Sequence, residues 1–176
     1  HTEEVIKREQ ARMQKRACRP HLYGKKIAVP TRNGSMHAFV YNSKNLHPGY
    51  LIIEVHGGGF MYNTAADDDD FCHFIHQTLG IPVISCDYSL TPEHPFPTGL
   101  EDVYDCVLHA LSMKELKAQP DKIILWGHSA GANLAAGTVY MAVEKQQFTP
   151  CMQILDYPYM DPYRSSTERK PIKNSV

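Results

Sequence analysis

The sequence predicts an α/β fold in which a mostly parallel sheet is covered by helices on both faces. Two observations lead to this prediction. Apolar segments of strand length alternate with segments whose apolar residues recur with a helical period, an order typical of parallel sheets. The strand segments are also nearly continuously apolar, as strands that are buried on both faces must be. At 176 residues, 43% of them hydrophobic, the chain is long enough to bury such a core.

The elements follow in chain order. Residues 3–17 are predicted to form a charged, exposed helix, and a hairpin at the sheet edge is predicted from Lys25–Val29 and Met36–Tyr41, joined through Asn33-Gly34. Further strands are predicted at Leu51–Val55, Ile81–Cys86, Lys122–Trp126 and Cys151–Leu155. Helices are predicted after the acidic run at 67–70, where Phe71, Phe74, Ile75 and Leu79 form the apolar side, across 100–111, and from about 130 to about Lys145.

One turn in this pattern carries chemistry. Residues 127–131 read Gly-His-Ser-Ala-Gly and join the apolar strand at 122–126 to a helix rich in small residues. A Gly-x-Ser-x-Gly pentapeptide between a strand and a helix indicates a nucleophile elbow, in which a strained turn exposes the serine hydroxyl. Side chains at Gly127 and Gly131 would collide with neighbouring strands, and the helix N-terminus favours negative charge at the serine. Ser129 is therefore the candidate nucleophile.

A second motif follows another strand. Leu51–Val55 runs into His56 and then into three glycines, Gly57, Gly58 and Gly59. Bare backbone after a buried strand can point N–H groups at a developing oxyanion, joined by the N–H of Ala130, the residue after the candidate nucleophile. We expect the three glycines and Ala130 to form an oxyanion hole, with His56 stabilising the glycine loop by hydrogen bonds.

A third segment, Asp87-Tyr-Ser-Leu-Thr-Pro-Glu-His-Pro-Phe-Pro97, follows the next strand. Together with the other two motifs, in the same order, it resembles the signature of the hormone-sensitive-lipase-like esterases over about residues 25–161. The resemblance implies an α/β-hydrolase fold with residues 1–24 as a helical cap segment, 25–161 as the N-terminal portion of the core, and 162–176 as the start of a further cap or insertion. Ser89 and His128 depart from the family pattern, which usually has arginine at the first position and more commonly has aspartate or threonine at the second.

For activity, the resemblance implies hydrolysis of carboxylic esters with small to medium acyl groups through an acyl-enzyme on Ser129. Phe60, Met61, Tyr62 and Tyr88 are candidates for the lining of the substrate pocket. This chemistry requires no metal and no organic cofactor. Two alternatives are an amidase such as a formamidase, which would use the same nucleophile on a C–N bond, and a catalytically silent hydrolase-fold binding protein.

A serine nucleophile in this fold needs an acid and a histidine base that follow it in the chain. No histidine follows His128, and the triad aspartate of the family follows a later strand, so Asp156 and Asp161 are interpreted as structural. We therefore expect the C-terminal part of the fold, from the same gene or another chain, to be needed for activity. Residues 1–176 alone are expected to hydrolyse esters poorly.

Charge, hydrophobicity and cysteine content limit the kinds of partner and location expected for the protein. The formal net charge is −1 without a strongly basic stretch, which argues against nucleic acid, and no apolar run is long enough to span a membrane. The five cysteines are an odd number without close pairing, and Cys86 and Cys151 lie in strand-like apolar runs, which indicates reduced core thiols of a cytoplasmic protein. The four aspartates at 67–70 are interpreted as a helix start rather than a metal site, and His94 of the proline-rich segment as structural.

Overall fold

The computed structural model describes residues 22–160 and, before them, positions 4, 5, 7, 8 and 11. Those five positions are helical and exposed, whereas the rest of the expected N-terminal cap segment and residues 161–176 lie outside the described residues. The strands of the described part are β1 (Lys25–Thr31), β2 (Gly34–Tyr41), β3 (Leu51–Val55), β4 (Val83–Asp87), β5 (Ile123–His128) and β6 (Met152–Asp156). Its helices are a 3-10 turn (Ala65–Asp68), α1 (Asp69–Leu79), α2 (Thr98–Ser112) and α3 (Ala130–Lys145). None of the helices in the described part is long and apolar enough to cross a bilayer.

The strands form one sheet in the order β1-β2-β4-β3-β5-β6. β1 and β2 are antiparallel, as are β2 and β4, whereas β4, β3, β5 and β6 run parallel to one another. The expected mostly parallel sheet with a hairpin at one edge is therefore confirmed. The hairpin turn is shifted by one residue from the expectation, because Thr31 pairs with Gly34 and the turn is formed by Arg32 and Asn33.

Helices cover both faces of the sheet, as predicted. α2 and α3 pack on one face, where Val103 of α2 joins Ile53 and Leu125 in one apolar cluster. α1 and the 3-10 turn pack on the other face, where Cys72 of α1 joins Ile52 in a second cluster. Because side chains alternate along a strand, the neighbours Ile52 and Ile53 serve opposite clusters. A strand that serves two clusters is apolar at nearly every position.

The cysteines do not all lie in the core. Cys72, Cys86 and Cys106 are buried free thiols, but Cys151 is exposed, which corrects the expectation for that residue. The strand begins one residue later than predicted, at Met152, and β6 lies at the edge of the sheet in the described residues. An edge strand has a neighbouring strand on one side only, and Cys151 stands just before its start.

The buried side of α1 also differs from the expected one. Phe74 is 63% exposed, whereas the polar residues Asp69 and His76 are buried. The imidazole of His76 lies 3.0 Å from the Ser43 hydroxyl and 2.8 Å from the Ile81 carbonyl, so both ring nitrogens have partners. A polar side chain that is fully hydrogen-bonded can be buried at little cost, and these partners allow polar residues to take inward positions.

Asp69 ties the segment before β1 to helix α1. Its carboxylate accepts hydrogen bonds from the backbone N–H groups of Tyr23 at 2.9 Å and Gly24 at 3.0 Å, and from the Tyr41 hydroxyl at 2.8 Å. The residue is 5% exposed, so water cannot easily replace these donors. Hydrogen bonds to a charged acceptor are stronger than those between neutral groups. The buried member of the acidic run therefore stabilises the entry of the chain into the sheet.

We predict that Asp69→Asn lowers the free energy of unfolding by about 2–3 kcal/mol, because the amide leaves buried donors without a charged acceptor. Asp70→Asn is the matched control, since Asp70 is exposed and stands at the same helix start. Its effect should be limited to the helix dipole, at most about 1 kcal/mol. Urea unfolding of both variants measures the difference, and equal losses would contradict the role assigned to Asp69.

Candidate active site

Ser129 lies at the turn between strand β5 and helix α3, as the sequence predicts. Its φ is 51° and its ψ is −111°, a conformation that L-residues rarely adopt. Its backbone N–H donates to the Asp156 carbonyl at 2.9 Å, and its carbonyl accepts from the N–H of Ala132 at 3.1 Å. The residue is half-buried. The turn is thus strained and held from both sides, and its serine remains accessible.

Glycines on either side of Ser129 are required by close backbone contacts. A Cβ at position 131 would lie 2.0 Å from the carbonyl oxygen of Val55, the last residue of β3. A Cβ at position 127 would lie 2.3 Å from the Gly131 carbonyl oxygen. The expected clash with a neighbouring strand is therefore found for Gly131. For Gly127 the obstacle is the first turn of α3 instead, which corrects the expectation.

The glycine loop after β3 lies beside the serine. A Cβ on Gly57 would stand 3.4 Å from the Ser129 Cβ and 3.0 Å from the His128 carbonyl oxygen. Gly58 has a φ of 130°, and a Cβ there would lie 2.0 Å from the Tyr62 carbonyl oxygen. Gly59 also has a positive φ, of 62°, in open space. The loop is therefore a tight turn whose bare backbone packs on the elbow.

The side chains of His56 and Tyr88 support this loop. Nδ1 of His56 donates to the Gly57 carbonyl at 2.8 Å, and the amide of Asn63 donates to the same oxygen at 3.2 Å. The Tyr88 ring stacks on the His56 ring at 4.3 Å, and its hydroxyl donates to the His56 carbonyl at 3.0 Å. Burial raises the pKa of the Tyr88 hydroxyl, and the Glu54 carboxyl adds to the shift, so this donor keeps its proton. His56 thus makes the hydrogen bond expected of it.

A cavity of about 550 Å³ lies next to the glycine loop. Phe60 and Tyr88, two of the four residues predicted to line a pocket, are part of its wall, whereas Met61 and Tyr62 are not. The chain turns after Phe60, where the N–H groups of Met61 and Tyr62 bond back to the Gly58 carbonyl at 3.1 and 2.9 Å. The other lining residues are Gly59, Thr91, His94, Phe96, Gly99, Leu100, Asn133, Leu134 and Met160.

Sequence reasoning missed most of this cavity wall. His94 was expected to be structural, yet its side chain lines the cavity together with Phe96. Both belong to the proline-rich segment that follows β4. The order of the strands could have predicted these residues, because the carboxyl ends of parallel strands meet at one edge of the sheet. Segments that follow β3, β4 and β5 therefore share the same space.

The His128 side chain is not part of the cavity wall. Its Nδ1 lies 3.2 Å from an Asp156 carboxylate oxygen, and its ring packs edge-on against Phe71 of α1. The ring therefore lies on the α1 side of the sheet, whereas α3 begins on the other side.

Comparisons with known proteins agree with the fold. A family profile described as alpha/beta hydrolase fold matches residues 52–175. Carboxylic ester hydrolase LipN of Mycobacterium tuberculosis is 32% identical over 141 residues, which are 77% of this chain and 38% of that protein. The hormone-sensitive lipase of Homo sapiens is 41% identical over 85 residues, which are 48% of this chain and 8% of the lipase.

Solved structures give the same result. The hyperthermophilic esterase of the archaeon Pyrobaculum calidifontis superimposes with a TM-score of 0.72 at 33% identity and covers 88% of this chain. The match covers 51% of the esterase. The chain thus spans about half the length of this solved esterase and less than half the length of the two curated relatives.

We predict that Gly58→Val lowers ester turnover of the complete protein by about 100- to 1000-fold, the loss expected when an oxyanion donor is misplaced. The added Cβ would meet the Tyr62 carbonyl oxygen at 2.0 Å, so the loop must move. Gly34→Val is the matched control, because Gly34 has nearly the same φ, 128°, with nothing within 4 Å of an added Cβ. It should lose stability but keep its turnover number, measured on folded protein. Similar turnover in the two variants would argue against the oxyanion role.

Proposed function

Since the chain belongs to the α/β-hydrolase family, and to its hormone-sensitive-lipase-like members, we propose that it is a serine hydrolase. Its reaction is the cleavage of carboxylic esters with small to medium acyl groups through an acyl-enzyme. The observation that carries this proposal is the position of Ser129, on a strained turn against which the Gly57 backbone packs. A nucleophile beside backbone that carries no side chain is an arrangement that acyl transfer can use.

The proposed mechanism begins with attack of the Ser129 hydroxyl on the ester carbonyl. The bond to the carbonyl carbon forms as the proton leaves to a base, and the carbonyl oxygen becomes an oxyanion. The N–H groups of Gly58, Gly59 and Ala130 bind the oxyanion, while Gly57 shapes the turn. Ala130 is the first residue of α3, so the positive end of the helix dipole adds to this stabilisation. Loss of the alcohol gives the acyl-enzyme, which water then hydrolyses.

We infer that the base is a histidine outside residues 1–176, and that its orienting acid lies there as well. The histidines of the elbow and of the glycine-loop motif have other partners. His128 directs its ring nitrogens toward Asp156 and Glu54, and His56 donates to the Gly57 carbonyl. In the chain order of this fold, base and acid follow the serine.

The cavity supports the choice of substrate class. Its volume of about 550 Å³ suits a small molecule, and Phe60, Phe96, Leu100 and Leu134 give it a largely apolar wall. Such a wall favours an acyl or alcohol group without charge. A cytoplasmic location stays a prediction from the cysteine pattern.

An amidase is the second candidate. The motif Gly-His-Ser-Ala-Gly, with histidine at position 128, occurs in related carboxylesterases and also in formamidases with a similar glycine motif, so the motif is compatible with both reactions. Amide hydrolysis would use the same nucleophile and the same oxyanion donors, and it differs in the leaving group, an amine that must be protonated.

The nucleophile is tested by labelling. We predict that a fluorophosphonate probe, reacted with the complete protein and followed by peptide mass mapping, forms its adduct on Ser129. Ser129→Ala should abolish the label and reduce turnover to the residual rate of about 10³–10⁴ over water that oxyanion stabilisation alone provides. Ser35→Ala, at an exposed hairpin position, is the control and should keep both. An adduct on another residue of active protein would refute the assignment.

The reaction class is tested by a matched pair of substrates. We predict that kcat/KM for an aryl acetate exceeds that for the N-formyl derivative of the corresponding aryl amine, because the proposed enzyme is an esterase. Both reactions are to be measured with the complete protein and with Ser129→Ala as the blank. A higher kcat/KM for the formyl amide would assign the protein to the amidases.

A further inference from the structure

A buried carboxyl lies beneath the elbow, and the mechanism above does not use it. Glu54 interrupts the apolar run of β3 and is 1% exposed. One of its oxygens, Oε2, accepts a hydrogen bond from the Ser85 hydroxyl at 2.5 Å and contacts the Cys72 thiol at 3.7 Å. The other, Oε1, is buried and receives no hydrogen bond from the described residues. A buried polar atom of this kind calls for a specific explanation.

The group that faces this unpartnered oxygen is the imidazole of His128. Its Nε2 lies 3.9 Å from Glu54 Oε1, and its Nδ1 lies 3.2 Å from Asp156 Oδ2. Phe71 packs on the ring edge at 5.1 Å, and Tyr157 lies at 6.0 Å. The ring is thus confined between aromatic neighbours with one carboxyl at each nitrogen.

The surroundings of Glu54 disfavour the charged form of its carboxyl. Burial raises the pKa of the Glu54 carboxyl well above its usual range, and the Asp68 carboxyl beside it adds to the shift. On the other side of the ring, His128 Nδ1 lies 3.2 Å from Asp156 Oδ2. The imidazole forms a polar bridge from β3 to β6 across β5.

The bridge joins the strands that carry the parts of the proposed site. β3 leads from Glu54 to the glycine loop within three residues, and β5 passes from His128 directly to Ser129. β6 ends at Asp156, whose carbonyl accepts the Ser129 N–H at 2.9 Å. A shift of His128 relative to Glu54 would therefore shift the serine relative to the loop.

We propose that His128 is a positioning residue, held between Glu54 and Asp156, that fixes the Ser129 elbow against the Gly57–Gly59 loop. The proposal rests on the proposed function, because it assigns the purpose of the bridge to serine chemistry. It gives position 128 a role in alignment and not in proton transfer. A misplacement of reacting groups by about 1 Å can cost about 100-fold in rate.

The test compares kcat and KM of complete-protein variants on an aryl acetate. Glu54→Gln keeps the size of the side chain and removes its ionisable group, and His128→Phe keeps a ring and removes both nitrogens. Each should lower kcat by about 10- to 100-fold and change KM by less than about threefold, because alignment is lost while the cavity is kept. The double variant should be no slower than the slower single variant, since the two residues act as one unit.

Asp69→Asn is the matched control for stability, because it removes a buried carboxylate whose partners are Tyr23, Gly24 and Tyr41 and not the elbow. It should lower the melting temperature and leave kcat unchanged in folded protein. If Glu54→Gln and His128→Phe behave in the same way, the proposal is overturned. Should His128→Phe fail to fold, Glu54→Gln decides the question alone.

A crystallographic readout separates this proposal from the proposed function. Wild-type protein that neither binds the fluorophosphonate nor hydrolyses esters would refute the function. The alignment is then judged from the structures of wild type and Glu54→Gln, in which the distance from the Ser129 Cβ to Gly57 should increase. An unchanged distance would refute the positioning role, whatever the activity.

Discussion

The arrangement of the site depends on one close approach between two backbones. The Val55 carbonyl at the end of β3 stands where a Cβ of residue 131 would be, so α3 can begin against β3 only with glycine at that position. This contact fixes how far the start of the helix reaches over the sheet edge. Ser129 therefore lies next to Gly57, and the glycine loop folds back on itself at Gly58. Nucleophile and loop meet because the backbones that precede them are already packed.

Constraints of this kind were visible in the sequence. Glycine is required where a backbone packs closely on another backbone or adopts a positive φ. Gly58 and Gly131 could be recognised in the sequence for that reason. The strands were equally predictable, because a strand buried on both faces has to be apolar along its whole length, as Leu51–Val55 is. Fold class, strand positions and the two motifs therefore followed from local patterns.

Contacts between distant segments were not predictable in the same way. Phe74 was expected to be buried and His76 was not, because one hydrogen-bond partner of His76, the Ser43 hydroxyl, lies 33 residues earlier in the chain. His94 lies in the segment after β4 and Leu134 lies in α3, yet both line one cavity, and neither local sequence predicts the contact with the other. In the sequence, Glu54 is only a single polar residue within an apolar segment. The role proposed for it depends on the His128 ring, which faces it from β5.

The strained turn at Ser129 has an evolutionary consequence. A non-glycine residue at φ of 51° with ψ of −111° costs about 1–3 kcal/mol, a sizeable share of the roughly 5–15 kcal/mol that keeps a domain folded. Glycine would adopt the same conformation with much less strain. In a lineage released from selection for chemistry, drift toward glycine at this position would therefore bring a gain in stability. A serine kept at this position would therefore be kept at a cost in stability.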